Sequence, residues 1–557
     1  VKPFRAWFAS GAPWIWLQAA AVSLSLVLVC GLVLLIAARG LSHFWPTAVE
    51  EWVVKDGDGA QRVLLGQVHR SERVDAERLR EAGQAVPEDL DKVLRHLLKT
   101  GNRDLTGEDF IWVADHRILE RARPENVLVV ERLRWGVFIG RLAGIREAGR
   151  LLPLPDGPWE ELDRRLERVT GLRERLDEIE RGALMDVNQR LEQLRREERV
   201  LRDREPDAAV SGEALTELEA ERAELRATFD ALAAELETLY GDMDRDSLLV
   251  TTANGREAEI PLGQVVDAWR PNRMGPAESV AHWLARFWYF LSEPPREANT
   301  AGGIFPALFG TVLMVMLMSV LVTPLGVVAA VWLREYADQG WITRFVRISV
   351  NNLAGVPSIV YGVFGLGFFI YFIGGGIDRL FFSEALPAPT FGTGGLFWAS
   401  LTLALLTLPV VIVSTEEGLA RIPRSLREGS LALGATRWET LWRTILPMAS
   451  PGIMTGVILA VARAAGEVAP LMLVGVVKLA PALPVDGDFP FLHLERKFMH
   501  LGFHIYDVGF QSPDIEASRP LVYATALLLV AITLVLNLTA IGIRNRLRER
   551  YRSLEAQ

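Results

Sequence analysis

"EGSLALGATRWETLWRTILP", residues 428–447, decides how the rest of the chain is read. It carries Glu428, Arg437, Glu439 and Arg443, yet it lies between long apolar runs. Leu431, Leu433, Trp438, Leu441, Trp442, Ile445 and Leu446 interleave with these charges, the pattern of a helix lying at a surface. Gly434 permits a sharp turn between two short helices, and Pro447 suits the start of the next element. The stretch predicts a protruding helix-turn-helix fixed to apolar spans on both sides. Such a piece suits the transfer of force between a membrane domain and a soluble partner.

Working outward, apolar runs of the length that crosses a bilayer, about 20 residues, lie at 15–38, 304–333, 351–374, 396–414, 450–477 and 521–543. Half of the 557 residues are apolar and the mean hydropathy is positive, so a wholly soluble protein is excluded. The first run follows Lys2 and Arg5 and is too long for a cleaved signal, which predicts an uncleaved anchor. No basic stripe or zinc spacing points to nucleic acid. Cys30, the only cysteine, excludes an intrachain disulfide. No Gly-Lys-Ser/Thr phosphate loop is present, so ATP hydrolysis is expected on another chain.

Basic residues set the expected orientation. Lys2, Arg5, Arg334, Arg344, Arg347, Arg421, Arg424, Arg427, Arg437 and Arg443 fall on one side, with the tail arginines 544, 546, 548, 550 and 552. The opposite connections hold only Arg379, Lys478, Arg496, Lys497 and Arg519. Both termini and the 415–447 loop are therefore expected in the cytoplasm. The long segment 41–300 is then expected in the periplasm, since long loops cross largely regardless of charge.

Within that segment, apolar residues at 159, 162, 166, 169, 172, 176, 179, 183, 187, 191 and 194 form a heptad seam. Pro206 and Gly212 break it, and a second seam runs from Leu215 to Leu239. This predicts an antiparallel coiled-coil hairpin over 159–242. Asn254-Gly255 between β-prone runs marks a hairpin turn. "DFIWVADHRIL" (109–119), "NVLVVERLR" (126–134) and "WGVFIGRLAG" (135–144) read as strands. The hairpin is expected to rise from a small β-rich module, as a spacer or as a docking arm.

Returning to the elbow, Glu428-Gly429-Ser430, then Gly434-Ala435, then Leu446-Pro447 resembles the EAA motif of ATP-binding-cassette importer permeases. It departs in Gly429-Ser430 for Ala-Ala and in Thr444 for the usual Ile. "GIFPALFGTV" (303–312), "PLGVVAAVWLREYA" (324–337), "NNLAGVPSIVYGVFGL" (351–366) and "ILAVARAAGEVAPLMLVG" (458–475) resemble the PstA family of phosphate-import permeases. The resemblance covers about 300–557, and 40–300 looks like an insertion. It implies a mainly α polytopic membrane protein with six transmembrane helices, the type I importer permease fold, plus a periplasmic α+β insert. The expected organisation is 1–40 for the N-terminus and first span, 41–300 for the insert, 301–545 for the permease core and 546–557 for the tail. The implied partners are a second permease resembling PstC, two ATPase subunits resembling PstB, a periplasmic binding protein resembling PstS, phosphate itself and the lipid bilayer. The motif residues 428–430, 434–435 and 446–447 would dock the ATPase. No cofactor or metal is implied.

Arg463 and Glu467 stand inside the fifth apolar run, one helical turn apart. Ionisable groups at that depth are costly and are expected to face the protein interior. They read either as a structural ion pair or as a transient partner for an anionic substrate, which a guanidinium suits. The match to "ARAAGE" in the phosphate permeases favours the second, although Val413 stands where some relatives carry a basic residue. Gly452, Gly456, Ala460 and Ala464 form a stripe for close helix packing, within the bundle or against a second permease. Asn351, Asn352, Gly355 and Pro357 are expected to cap or loosen the start of the third span. His493, His500 and His504 lack the carboxylate or cysteine of a recognisable zinc set. Another oxyanion is the alternative substrate. A transmembrane sensor and an envelope adaptor are the competing classes, and neither accounts for six spans with this elbow.

Overall fold

A computed structural model describes residues 7–555 apart from 56–59, 82, 84–85, 154–157, 205–209, 339, 384–386, 488 and 513–514. Lys2, Arg5 and Pro206 therefore lie outside the described residues. The chain divides into two compact units, Trp45–Ala285 and the combination of Val1–Phe44 with Arg286–Gln557.

The unit 45–285 joins two antiparallel sheets to a long helical pair. Strands β1 (Val49–Lys55), β2 (Gln61–Asp75), β3 (Lys92–Lys99), β4 (Phe110–Ala114) and β5 (Ile118–Ala122) form one sheet in the order β4-β3-β2-β1-β5. Trp52, Val54, Leu64, Leu98 and Val113 fill its apolar face. The expected strand 109–119 is two strands, because Asp115–Arg117 forms a single 3-10 turn between β4 and β5. The second sheet runs β10-β9-β7-β6-β11, from β6 (Leu128–Arg132), β7 (Val137–Glu147), β9 (Asp246–Thr251), β10 (Glu257–Pro261) and β11 (Val265–Trp269), with β8 (Arg150–Leu151) beside β7. Asn254-Gly255 makes the β9–β10 turn, with Gly255 at φ 75°.

From the second sheet rise α1 (Pro158–Glu178), a π turn (Ile179–Ala183), α2 (Leu184–Arg204) and the returning α3 (Val210–Asp244). The first seam is buried at Leu162, Val169, Leu176, Ile179, Val187 and Leu194. Arg175–Glu235 (3.1 Å), Arg190–Glu221 (2.7 Å) and Arg222–Glu198 (3.5 Å) pair across the antiparallel arms. Gly212, expected in the break, lies inside α3. One glycine costs a helix only about 1 kcal/mol, less than the helix gains by continuing.

At the base, Leu162, Val169 and Leu176 of α1 share one core with Leu128, Val130, Phe138, Leu248 and Val250 of the sheet. Fully buried Asp246 anchors it, paired with Arg165 (2.8 Å), Arg168 (3.1 Å) and Arg245 (2.9 Å). Burial alone would push the Asp246 carboxyl up. The Arg245 hydrogen bond and the fields of Arg165 and Arg168 outweigh burial and hold it below its ordinary range.

The other unit is a membrane bundle, and the chain is a multi-pass membrane protein. Its six helices of spanning length are Pro13–Ser42, Phe305–Tyr336, Ser358–Phe381, Leu396–Ala420, Arg437–Ala465 and Ile515–Glu549. The fourth is the most enclosed. Leu396, Trp398, Ala399, Leu403 and Val411 pack against Met314, Met318 and Val322 of the second span and Ala460, Val461 and Ala464 of the fifth.

Two expected boundaries move. The third span starts at Ser358, because Asn351 and Asn352 end a separate helix, α4 (Trp341–Leu353), and Pro357 caps the span. The fifth occupies 437–465 instead of 450–477. Its first turns carry charges that hydropathy reads as a connection, and it stops at Gly466 with Pro470 beyond.

Asp246→Asn is expected to loosen the α1–α3 base without unfolding the membrane bundle. Breaking a buried ion pair costs about 3 kcal/mol or more. Amide exchange along 162–176 in the full chain should therefore accelerate about 100-fold. Unchanged exchange would mean that Glu147 and Glu161, the other partners of Arg165, hold the base alone.

Candidate functional site

The elbow begins where the fourth span ends. Pro423 precedes α5 (Arg424–Ala432), which stops before Gly434. Gly434 adopts φ 90°, a region that L side chains rarely enter, and a Cβ there would meet open space. The constraint at this position is therefore backbone conformation and not packing. The chain re-enters a helix at Thr436, whose Oγ1 accepts the Glu439 amide while the Glu439 carboxylate accepts the Thr436 amide, a reciprocal capping box. Ser430 and Thr440 hydroxyls lie 2.9 Å apart and close the two arms on each other.

The apolar residues of the elbow divide by face. Leu441, Ile445 and Ala449 turn inward against Ile412, Leu419, Ile422 and Leu333. Leu433 is 91% exposed, and Trp438 and Trp442, each 62% exposed, stack at 5.9 Å with their planes 16° apart. Glu428 and Gly429 are exposed and Ser430 and Ala435 partly so, while Leu446 and Pro447 lie half-buried at the root of the fifth span. The geometry is a tight turn that presents Leu433, Trp438 and Trp442 outward, with Leu431 also exposed.

Arg427 was passed over in the sequence, since it reads as one more basic loop residue. Its guanidinium donates to the Leu419 carbonyl (2.9 Å), the Ile422 carbonyl (2.8 Å) and the Glu335 carboxylate (2.9 Å). One side chain thus joins α5 to the ends of the second and fourth spans. Only the closeness of "WLREY" to the elbow, invisible without the fold, identifies its partner.

Arg463 and Glu467 are brought together, though not along one helix. The helix ends at Ala465 and Glu467 stands in the following turn. Arg463 Nε is 3.6 Å from Glu467 Oε1, beyond hydrogen-bond reach, and the side chains are 34% and 20% exposed. Among the described residues Arg463 has no other ion pair. The arrangement leaves a guanidinium in a spanning helix only loosely engaged by its carboxylate.

The glycine stripe is used within this chain. A Cβ built on Gly452 would lie 2.6 Å from Gly418 Cα, and one on Gly456 would lie 2.9 Å from Ser414 Cβ. Ala460 and Ala464 are fully buried. The fourth and fifth spans therefore touch backbone to backbone, and of the two readings of the stripe the bundle-packing one holds.

The three histidines do not converge. His493 lies between Asp486 (2.8 Å) and Glu495 (3.3 Å). His500 is not on a helix with His504 but caps one, α6 (Leu501–Tyr506), its Nδ1 accepting the Gly502 amide. No group of three metal-ligating residues occurs among the described residues. Burial pushes His500 down from 6.5 to about 3. For His504 burial likewise outweighs the Asp507 field and brings it to about 4. Between pH 6.5 and 4 the unfolded segment binds protons that the folded one refuses, so stability should fall with acidification. His500→Asn keeps a capping acceptor and removes that titration. The variant should lose part of the decline in melting temperature between pH 7 and pH 5, and an unaltered decline would place the linkage elsewhere.

With this geometry in place, comparison with known proteins is informative. Residues 322–553 match the family model "Binding-protein-dependent transport system inner membrane component". "Phosphate transport system permease protein PstA 1" of Mycobacterium tuberculosis is 41% identical over 176 residues, 31% of this chain and 52% of the relative. "Probable ABC transporter permease protein YqgH" of Bacillus subtilis is 34% identical over 198 residues, 35% of this chain and 60% of the relative. A solved structure of the MetNI methionine ABC transporter overlays with a TM-score of 0.30 at 18% identity, covering 44% of this chain and 94% of that one, too loosely to carry an argument. The chain thus spans between half and two thirds of the curated relatives' length. Residues 322–553 are thus similar to permeases of the binding-protein-dependent transport type, and the chain is similar over 176 residues to a PstA permease.

Proposed function

We propose that this chain is the transmembrane permease subunit of an ATP-driven importer of inorganic phosphate. A second permease completes the pathway, separate ATPase subunits supply the energy, and a periplasmic binding protein delivers the anion. The observation that carries the reading is the elbow: exposed Leu433, Trp438 and Trp442 on a turn fixed by Gly434 and rooted in three spans. A lever needs both properties, an apolar tip that a partner buries and a root that does not yield. The basic residues beside it support a cytoplasmic location, with the insert periplasmic and both termini cytoplasmic. Phosphate is supported by the names of the relatives and by Arg463, whose forked donors match phosphate oxygens. The insert's helical pair suits a coiled-coil spacer or docking arm.

Gly434→Trp tests the lever. A side chain at φ 90° is strained, and the tip should be reshaped while the spans still insert. ATP hydrolysis by the assembled complex should continue while phosphate uptake falls at least 10-fold. Normal uptake with the ATPases bound would overturn the lever reading.

Arg463→Gln tests the pathway. The Glu467 contact is too long to hold two helices together, so assembly should survive and phosphate uptake should be lost. Failure of assembly, rescued by second-site changes that restore no positive charge, would make Arg463 structural.

A further inference from the structure

Helix α4, between the second and third spans, has one face packed and one face bare. On the packed face, buried Thr343 donates to the Asp338 carbonyl (2.6 Å). Val346 and Val350 rest on the cluster that contains Ile412 and Leu419, and Arg347 reaches Glu416 of the fourth span at 3.3 Å. On the other face Trp341 is 79% and Phe345 65% exposed, with Ile342 and Ile348 beside them. Positions 341, 342, 345 and 348 fall on one side of a helix, so the bare face is a continuous apolar stripe.

Two observations say what covers it. Residues 337–340 and 354–357 are all that separate α4 from the spans on either side, and each tether reaches about 14 Å at most. Both helix ends are therefore held at the level where the spans leave the bilayer. The spans on either side of α4 in the chain also expose apolar residues, Val328 and Trp332 before it and Ile359 and Val363 after it. Exposed Arg334 and Arg344 add positive charge at the same level.

We infer that α4 is an interfacial helix, seated in the headgroup–acyl boundary of the leaflet on the elbow side. Trp341, Phe345 and Ile348 enter the acyl region, and Arg344 meets anionic headgroups. Because Arg347 and Val350 fix α4 to the fourth span beside the elbow, the lipid surface becomes a support for the end of that span. The inference rests on the multi-pass fold alone and holds whatever the chain transports.

The test uses the assembled complex purified from its own host, with Cys30→Ala and single cysteines at Phe345, Ile348 or Arg344 carrying a nitroxide. In vesicles of phosphatidylcholine with phosphatidylglycerol, labels at 345 and 348 should be more accessible to oxygen than to a water-soluble nickel chelate, and the label at 344 less so. Greater nickel access at 345 and 348 would mean that the face is bathed in water. Low access to both reagents would mean that another protein covers it, and either result overturns the inference. Omitting phosphatidylglycerol should raise nickel access at 345, and Arg344→Gln should remove that difference. A ratio unmoved by lipid composition would overturn the headgroup contact.

Discussion

The membrane unit depends on one contact, the meeting of the fourth and fifth spans through Gly418, Gly452 and Gly456. There is no room for a side chain between Gly452 and the backbone of Gly418. In a bilayer, where apolar surface gains nothing by leaving lipid, such close approach is what binds helices through dispersion. Both proposed sites are placed from this seam. Toward one end the fifth span carries Arg463 two turns beyond Gly456. Toward the other it begins at the capping box that ends the elbow. A displacement of the elbow tip therefore has a path along the helix that bears the loosely paired guanidinium of Arg463.

Stiffness at the root has a second source. Arg427 donates to two carbonyls at the end of the fourth span and to one carboxylate at the end of the second. Each charged hydrogen bond contributes about 1.5–3 kcal/mol, and the three share a guanidinium that cannot deprotonate. The Leu419 carbonyl in the last helical turn, which also accepts the Arg421 amide, and the Ile422 carbonyl just beyond the helix both accept from Arg427. The same Nη2 that meets Leu419 also reaches Glu335 of the second span. The elbow is thus fastened at both ends, by Arg427 before the turn and by Leu441 and Ile445 after it.

Much of this was legible in the sequence and some was not, for physical reasons. Six apolar runs suffice to find six spans, because crossing a bilayer demands both length and backbone self-satisfaction. The elbow was legible because Gly434 acts through local backbone geometry, while the equally local capping box of Thr436 and Glu439 went unread. Strands β1 to β3 were not, since "QRVLLGQVHRSERVD" mixes charge into both faces of a strand in a small sheet. Helix α4 was hidden in the same way, 341–350 taken for a basic connection and 351–353 for the third span. Arg427 and Asp246 escaped because their roles are partnerships across 92 and 81 residues (335 to 427, 165 to 246), which no local pattern encodes.

The ionisable groups of the bundle divide by how completely they are answered. Asp378, buried in the third span, accepts the Phe391 and Gly392 amides at 2.8 and 2.7 Å and is fully committed. His493 faces two carboxylates, and Asp507 holds Asn299 and Lys478 at 3.0 and 3.1 Å. At each of these sites the charge is matched by a partner on a segment outside the spans. Arg463 differs in kind. Its carboxylate stands 3.6 Å away on a turn past the helix end, so separating the two costs little more than the Coulomb energy of a partly solvated pair. For a proposed anion pathway this is the useful balance. A tight pair would exclude the anion, and a bare guanidinium would hold it. A carboxylate on a hinge of Gly466 competes with the passing anion without preventing its entry.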